Sequence, residues 1–254
     1  MEKAIAVVSG KGGTGKTTFV SNTGLILKYI GNDITVIDTD VATSNLGLSL
    51  GIYQLPIGIQ DVMKGDISLE DSIYLHPTGL KVIPASLSMK FLSNKITTPG
   101  LKRMLSGIDG YVMFDSPPGV GEDVLSILRS VSDVIVVTNP QITATADSLK
   151  IIRVAREIGT NVFGVVVNRT RGKYEMSSQE IESMCEAPVI GHIPEDPMVD
   201  RSLYEGVPLV YNRPFSPASI AYKKIACSLV GMDYRPPRLM KVRNLFRGKN
   251  NHIM

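Results

Sequence analysis

One short passage constrains this chain more than any other: a buried-looking strand, a glycine-rich turn with two lysines, and a long helix, in that order. Ala4-Ile5-Ala6-Val7-Val8 is apolar and rich in β-branched residues, the pattern of a strand covered on both faces. Gly10-Lys11-Gly12-Gly13-Thr14-Gly15-Lys16-Thr17 follows, matching Gly-x4-Gly-Lys-[Ser/Thr]. Residues 17–30 then carry Val20, Leu25, Ile26, Leu27 and Ile30 at helical spacing and stop at Gly31. A loop at such a junction turns its backbone N–H groups, here those of residues 11–18, toward phosphate oxygens. The helix behind it adds the positive end of its dipole. In this arrangement Lys16 reaches the β- and γ-phosphates of a nucleotide, and the Thr17 hydroxyl ligates Mg²⁺.

The rest of the chain repeats the alternation. Candidate strands at 34–37, 81–83, 111–114, 134–137, 162–167 and 189–190 are separated by helical patterns such as 122–129 and 144–158. This predicts an α/β fold, a mostly parallel twisted sheet with helices on both faces. At 254 residues and 43% hydrophobic the chain can bury one large core. No apolar run approaches 18 residues, the first strand begins at once without a signal peptide, and Cys185 and Cys227 form no Cys-x-x-Cys pair. Buried thiols in a reducing cytoplasm are expected.

Ligands in such folds bind beyond the carboxyl ends of the strands, so polar residues that close apolar runs are the ones to weigh. Asp38 and Asp40 close the run 34–37. Two carboxylates beside a triphosphate repel it unless Mg²⁺ or water lies between them, although an ordinary strand-ending turn also uses Asp. Asp115-Ser116-Pro117-Pro118-Gly119 closes another run. Asp115 is placed to hold Mg²⁺ through a water, and Gly119 to let the backbone approach the γ-phosphate. Asn168 ends a third run, Val165-Val166-Val167; its amide, one donor group and one acceptor, suits the edge of adenine, and a turn Asn is the alternative.

Taken together, Lys-Gly-Gly-Thr-Gly-Lys-Thr-Thr from Lys11 to Thr18, the Asp38–Leu46 segment, and Asp115 to Gly119 resemble the deviant Walker A motif and the two switch regions of the ParA/MinD family. The resemblance covers nearly the whole chain and is nearest to archaeal MinD-like members. The segment after Asp40 lacks the Gly-Leu-Arg step of the bacterial MinD form. What it implies is specific. Lys11 crosses an ATP-dependent homodimer to the partner's nucleotide, as a cation supplied in trans to the developing phosphate charge. Asp40 orients the attacking water, and Asp38 and Asp115 belong to the Mg²⁺ site. Asn168 reads the base, with the loop carrying Pro194, Glu195 and Asp196 closing that pocket.

The C-terminal end differs in character. From Arg235 onward there are six basic residues and no acidic one, leaving 21 basic against 24 acidic side chains in the body. The expected division is an ATPase domain over 1–234 and a basic tail over 235–254. On a helix, Leu239, Val242, Leu245 and Phe246 share a face opposite Lys241, Arg243 and Arg247, with Met240 on the polar side. This resembles the membrane-targeting helix of MinD; a solvated basic tail is the alternative. The expected function is a membrane-associated switch ATPase that places a division septum or another cargo, peripheral at the inner face of the cell membrane. Rival readings are a partition ATPase that binds DNA, an iron–sulfur or metal-insertion accessory, and a nucleotide-binding adaptor without turnover. The acidic body disfavours nucleic acid, and the cysteine spacing disfavours the metal accessory.

Overall fold

The computed structural model describes residues 3–53, 56–86 and 95–236. Its first elements are β1 (Lys3–Val8), α1 (Lys16–Tyr29), β2 (Ile34–Asp38), α2 (Leu46–Ser49), α3 (Ile59–Lys64), β3 (Tyr74–Leu75) and β4 (Lys81–Ile83). Then come α4 (Thr98–Ser106), β5 (Tyr111–Asp115), α5 (Glu122–Leu128), β6 (Asp133–Thr138) and α6 (Ile142–Ile158). The last are β7 (Asn161–Thr170), α7 (Ser178–Cys185), β8 (Val189–Pro194), α8 (Pro197–Glu205), α9 (Leu209–Asn212) and α10 (Pro217–Leu229).

One eight-stranded sheet runs β3-β4-β2-β5-β1-β6-β7-β8, parallel throughout except for β3, which pairs antiparallel with β4 at the edge. Every strand expected from the apolar runs is present; β3, two residues long and without periodicity, was not foreseeable in that way.

Period-two alternation along the strands divides the interior into two layers. Ala4, Ala6 and Val8 of β1 face one core with Leu101 and Leu105 of α4, Val124 and Ile127 of α5, Ile151 and Ile152 of α6, and Ile181 of α7. Ile5 and Val7 face the other, with Phe19 and Leu25 of α1, Leu46 of α2, Leu209 of α9, and Tyr222 and Ile225 of α10. Burial on both faces is why the strands read as continuous apolar runs rather than alternating ones. Helix α1 lies between the sheet and α10 and is buried along most of its length, so its apolar residues are not confined to one stripe.

The consequence for function is positional. Strand β1 sits mid-sheet between β5 and β6, and its carboxyl end opens directly into the glycine-rich loop. The carboxyl ends of β2, β5 and β7 lie along the same rim, because the parallel register aligns them with β1 and β6. Among the described residues no helix is long and apolar enough to cross a membrane. The tail beyond Pro236, including Leu239, Val242, Leu245 and Phe246, lies outside the described residues.

Candidate nucleotide site

Helix α1 begins without a side-chain cap. Its N-cap is Gly15 in the left-handed conformation, φ 96°, whereas α4, α7, α8 and α10 are capped by Thr97, Ser177, Asp196 and Ser216. A side-chain cap here would occupy N–H groups that an anion can use, and Gly15 leaves them open at the carboxyl end of β1. Gly15 is required twice over. An L-residue is strained at that φ by roughly 1–2 kcal/mol, and a Cβ would stand 2.2 Å from Nδ2 of Asn168.

Lys16 is buried, and its Nζ donates to Ser9 Oγ at 2.8 Å, while Ser9 Oγ donates to the Lys11 carbonyl at 2.7 Å. Burial lowers the Lys16 pKa, against the opposing pull of Asp115 and Asp40. Ser9 is a residue that motif reading passed over. Its signal was simply a hydroxyl at the carboxyl end of the first strand.

Thr17 Oγ1 donates to Asp115 Oδ2 at 2.6 Å. The other oxygen, Asp115 Oδ1, is buried without a hydrogen-bond partner. An acceptor in that state costs about 1–3 kcal/mol, and a hydrated divalent cation removes the cost. The residues therefore fit Mg²⁺. Asp38 and Asp115 are neighbours in register across β2 and β5. Burial raises both carboxyls, Asp38 also through the charge of Asp115. Asp38 nonetheless spends its oxygens on its own loop: Oδ1 accepts from Asp40 N at 3.0 Å, and Oδ2 from Ser44 Oγ and Leu46 N, each at 3.1 Å. It shapes the segment after β2, and Asp115 carries the free oxygen.

Asp40 is half-buried, and its oxygens accept from Thr43 N at 3.0 Å and Thr43 Oγ1 at 2.8 Å. Each carboxylate oxygen keeps a second lone pair, so capacity to hold a water remains. Gly119, at φ 84°, donates its N–H to the Ser9 carbonyl at 2.9 Å, tying the loop after β5 to the end of β1.

A cavity of about 430 Å³ runs across these strand ends. Gly12, Gly13, Gly15, Lys16, Thr17, Thr18 and Asp40 line it, together with Thr43, Leu48, Ser116, Pro118, Arg169 and Leu203, which the sequence reading did not select. Lys11 is not among the lining residues of its own chain's cavity.

The residues assigned to the base pocket make the following contacts. Asn168 is buried: Nδ2 donates to the Thr14 carbonyl at 2.7 Å, and Oδ1 accepts from Arg169 N at 2.9 Å. It braces the glycine-rich loop from beneath. Asp196 caps α8 through Met198 N at 3.0 Å and also accepts from Ala218 N. Glu195 pairs with Arg171 on the surface, and Pro194 ends β8. Cys185 and Cys227 are buried, in α7 and α10.

Comparison with known proteins agrees with this geometry. The ParA family profile, described as NUBPL iron-transfer P-loop NTPase, matches residues 1–230. An ATP-binding protein of Methanocaldococcus jannaschii, described as uncharacterized, is 39% identical over 98% of this chain and 95% of its own. The septum site-determining protein MinD of Pyrococcus horikoshii, solved with Mg-ADP, superposes with a TM-score of 0.85 at 29% identity, covering 91% of this chain and 97% of that one. MinD in the MinC:MinD complex of Aquifex aeolicus gives 0.82 at 27% identity, covering 93% and 98%. The uncapped α1 terminus, Lys16, the Thr17–Asp115 pair and these similarities lead to one assignment: this chain belongs to the ParA/MinD family of P-loop NTPases.

Proposed function

We propose that this protein is a Mg²⁺-dependent ATPase that works as a membrane switch. ATP binding joins two copies, the paired tails hold the dimer on an anionic membrane surface, and slow hydrolysis releases it. The observation that carries the reading is the buried, unpartnered Asp115 Oδ1 beside Thr17 and the open terminus of α1. Cation and triphosphate each meet a group prepared for them.

In this site Thr17 and Asp115 would hold Mg²⁺, which when bound neutralises charge on the β- and γ-phosphates. Lys16 exchanges its bond to Ser9 Oγ for phosphate oxygens. Asp40 positions the attacking water from the half-exposed side of the cavity. Lys11 acts in trans, as a cation supplied to the partner's nucleotide. Gly119 couples hydrolysis to the loop after β5 by exchanging its bond to the Ser9 carbonyl.

The tail gives the switch its location. Four partly buried apolar side chains contribute on the order of 4 kcal/mol, and each cation near an anionic leaflet about 1 kcal/mol. Ordering a helix of about nine residues cancels much of this, so one tail binds weakly. Two on one dimer gain avidity of roughly 100-fold or more. The relatives named MinD support a role in septum placement or the positioning of another cargo, at the inner face of the cell membrane.

The matched family's description also names iron transfer. Cys185 and Cys227 are buried in different helices, α7 and α10, and form no Cys-x-x-Cys pair of the kind a metal carrier uses. The switch reading is tested by sedimentation of the protein with Mg-ATP, with Mg-ADP and without nucleotide. A dimer with ATP only, lost in Lys11→Ala, is expected. A monomer under all three conditions contradicts the proposal.

A further inference from the structure

A second cavity, a groove of about 520 Å³, lies between the β3–β4 turn and the ends of α2, α8 and α9. Tyr53, Tyr74, Leu75, Val207 and Tyr211 give it an apolar lining; Glu205 is its one carboxylate, and no lysine or arginine lines it. Leu75 is 71% and Tyr53 64% exposed, so two large apolar side chains meet solvent at its rim. Exposed apolar surface gathered at a concave site marks a place of contact.

The groove backs onto the nucleotide cavity. Asn45, Leu48 and Ser49 line the cavity, and residues 50–53, directly after them, line the groove. In α8, Leu203 faces the cavity and Glu205 the groove. The two walls touch backbone to backbone: a Cβ on Gly51 would stand 2.8 Å from the Gly206 carbonyl oxygen, and one on Gly206 2.7 Å from Gly51 Cα. His76 Nε2, 2.9 Å from the Leu50 carbonyl oxygen, ties the first wall to the β3–β4 turn. Walls packed this closely have no slack, so a shift after β2 on the phosphate side reaches the groove.

The chain's own tail starts nearby. Lys223 Nζ lies 5.6 Å from the Tyr234 ring centroid and donates to the Pro214 carbonyl at 3.0 Å. Pro214 is three residues from Tyr211 of the groove wall. These steps place Tyr234 within roughly 20–25 Å of the groove, a gap that about seven extended residues span. Leu239, Val242, Leu245 and Phe246 follow within that reach or just beyond it, and Arg238, Lys241, Arg243 and Arg247 among them are opposite in charge to Glu205.

We propose that this groove is the resting seat of the tail. Without ATP the apolar residues of 239–246 occupy it, their basic neighbours toward Glu205, and ATP releases them by moving the segment after β2. The proposal rests on the switch reading above and adds what keeps a lone tail off the membrane. A tail seated about 90% of the time has its apparent membrane affinity cut about tenfold.

Hydrogen exchange read by mass spectrometry, on the full chain without lipid, tests the seat. The variants are Tyr53→Ser with Leu75→Thr in the groove and Leu245→Glu with Phe246→Glu in the tail, their folds verified by circular dichroism melting. In nucleotide-free wild type, residues 239–246, 50–53 and 74–78 should all be protected. The groove variant should expose the tail, the tail variant should expose the groove, and Mg-ATP should expose both in wild type. A tail that exchanges as free chain without nucleotide, or protection that both variants leave intact, overturns the seat. Protection lost on dilution assigns the groove to a second copy's tail and overturns it as well. Sedimentation with anionic liposomes in Mg-ADP reads the consequence: the groove variant should bind about tenfold more tightly than wild type, a gain that a merely structural defect does not give. Equal binding in ADP, where wild type does pellet with ATP, overturns the proposal. Reciprocal protection without liposome binding in any state upholds the seat and removes the membrane reading instead.

Discussion

Thr17 Oγ1 donates to Asp115 Oδ2 at 2.6 Å across 98 residues of sequence, and the partner oxygen Oδ1 is left buried and unsatisfied. One oxygen is restrained and the other kept available, as the proposed Mg²⁺ site requires. Asp115→Asn should reduce ATP affinity in Mg²⁺ by about tenfold or more, the loss of one charge-assisted contact of about 1.5–3 kcal/mol. In chelator the wild type and variant should bind nucleotide nearly alike. Titration in both buffers checks this, and an equal loss in chelator would separate Asp115 from the cation.

Asp40 lies at the cavity wall with Thr43 bound to both its oxygens. Asp40→Ala should retain ATP binding and dimerisation while slowing hydrolysis by a factor of 10² or more, the usual size of a positioned proton acceptor's contribution. Light scattering should show the ATP-bound dimer accumulating. Unchanged turnover would remove Asp40 from the mechanism.

The brace at Asn168 makes a prediction that a purely base-reading residue would not. Asn168→Ala leaves the Thr14 carbonyl and the Arg169 N–H without their partner. Nucleotide-free protein should lose about 1–3 kcal/mol of stability in urea unfolding, with ATP and tripolyphosphate affinities both reduced. Undiminished stability with loss confined to ATP would return Asn168 to the adenine edge.

The difference between Asn168 and Thr17 shows how far the sequence could be read. Thr17 was legible because its role follows from fixed spacing within one strand–loop–helix unit, whose conformation is local. The sheet was legible for the same reason: residues buried on both faces leave unbroken apolar runs. The bracing contact of Asn168 was not, because it depends on a bulge against β8 and on a carbonyl 154 residues away. Neither leaves a pattern in neighbouring residues. Asp196 carried a second signal that the reading did not use: it precedes Pro197, a helix-start signal, and its carboxylate caps α8.

A pH dependence follows from the buried pair. Burial, then the neighbouring Asp115, raises Asp38 from 3.8 to about 8, so the folded state holds a proton that the unfolded chain releases. Between pH 4 and about 8 the native state binds more protons, and the contribution of Asp38 to stability falls as pH rises. Without metal and nucleotide, wild type should lose melting temperature from pH 5 to 8 relative to Asp38→Asn, whose side chain does not titrate. Parallel profiles for the two proteins would show that Asp38 is ionised throughout.

In the proposed switch, nucleotide state governs membrane attachment through residues 235–254. Sedimentation with anionic liposomes, in Mg-ATP, in Mg-ADP and without nucleotide, tests it most directly. The proteins to compare are the full chain, a chain ending at Asp233, and a variant carrying Leu245→Glu and Phe246→Glu. The full chain should pellet with ATP and remain largely soluble with ADP. Added salt should weaken the binding without abolishing it, because the apolar part is unscreened. The truncated and double-Glu chains should stay in solution while hydrolysing ATP at the lipid-free rate. Equal pelleting in ATP and ADP, or no pelleting of the full chain in any state, would contradict the account.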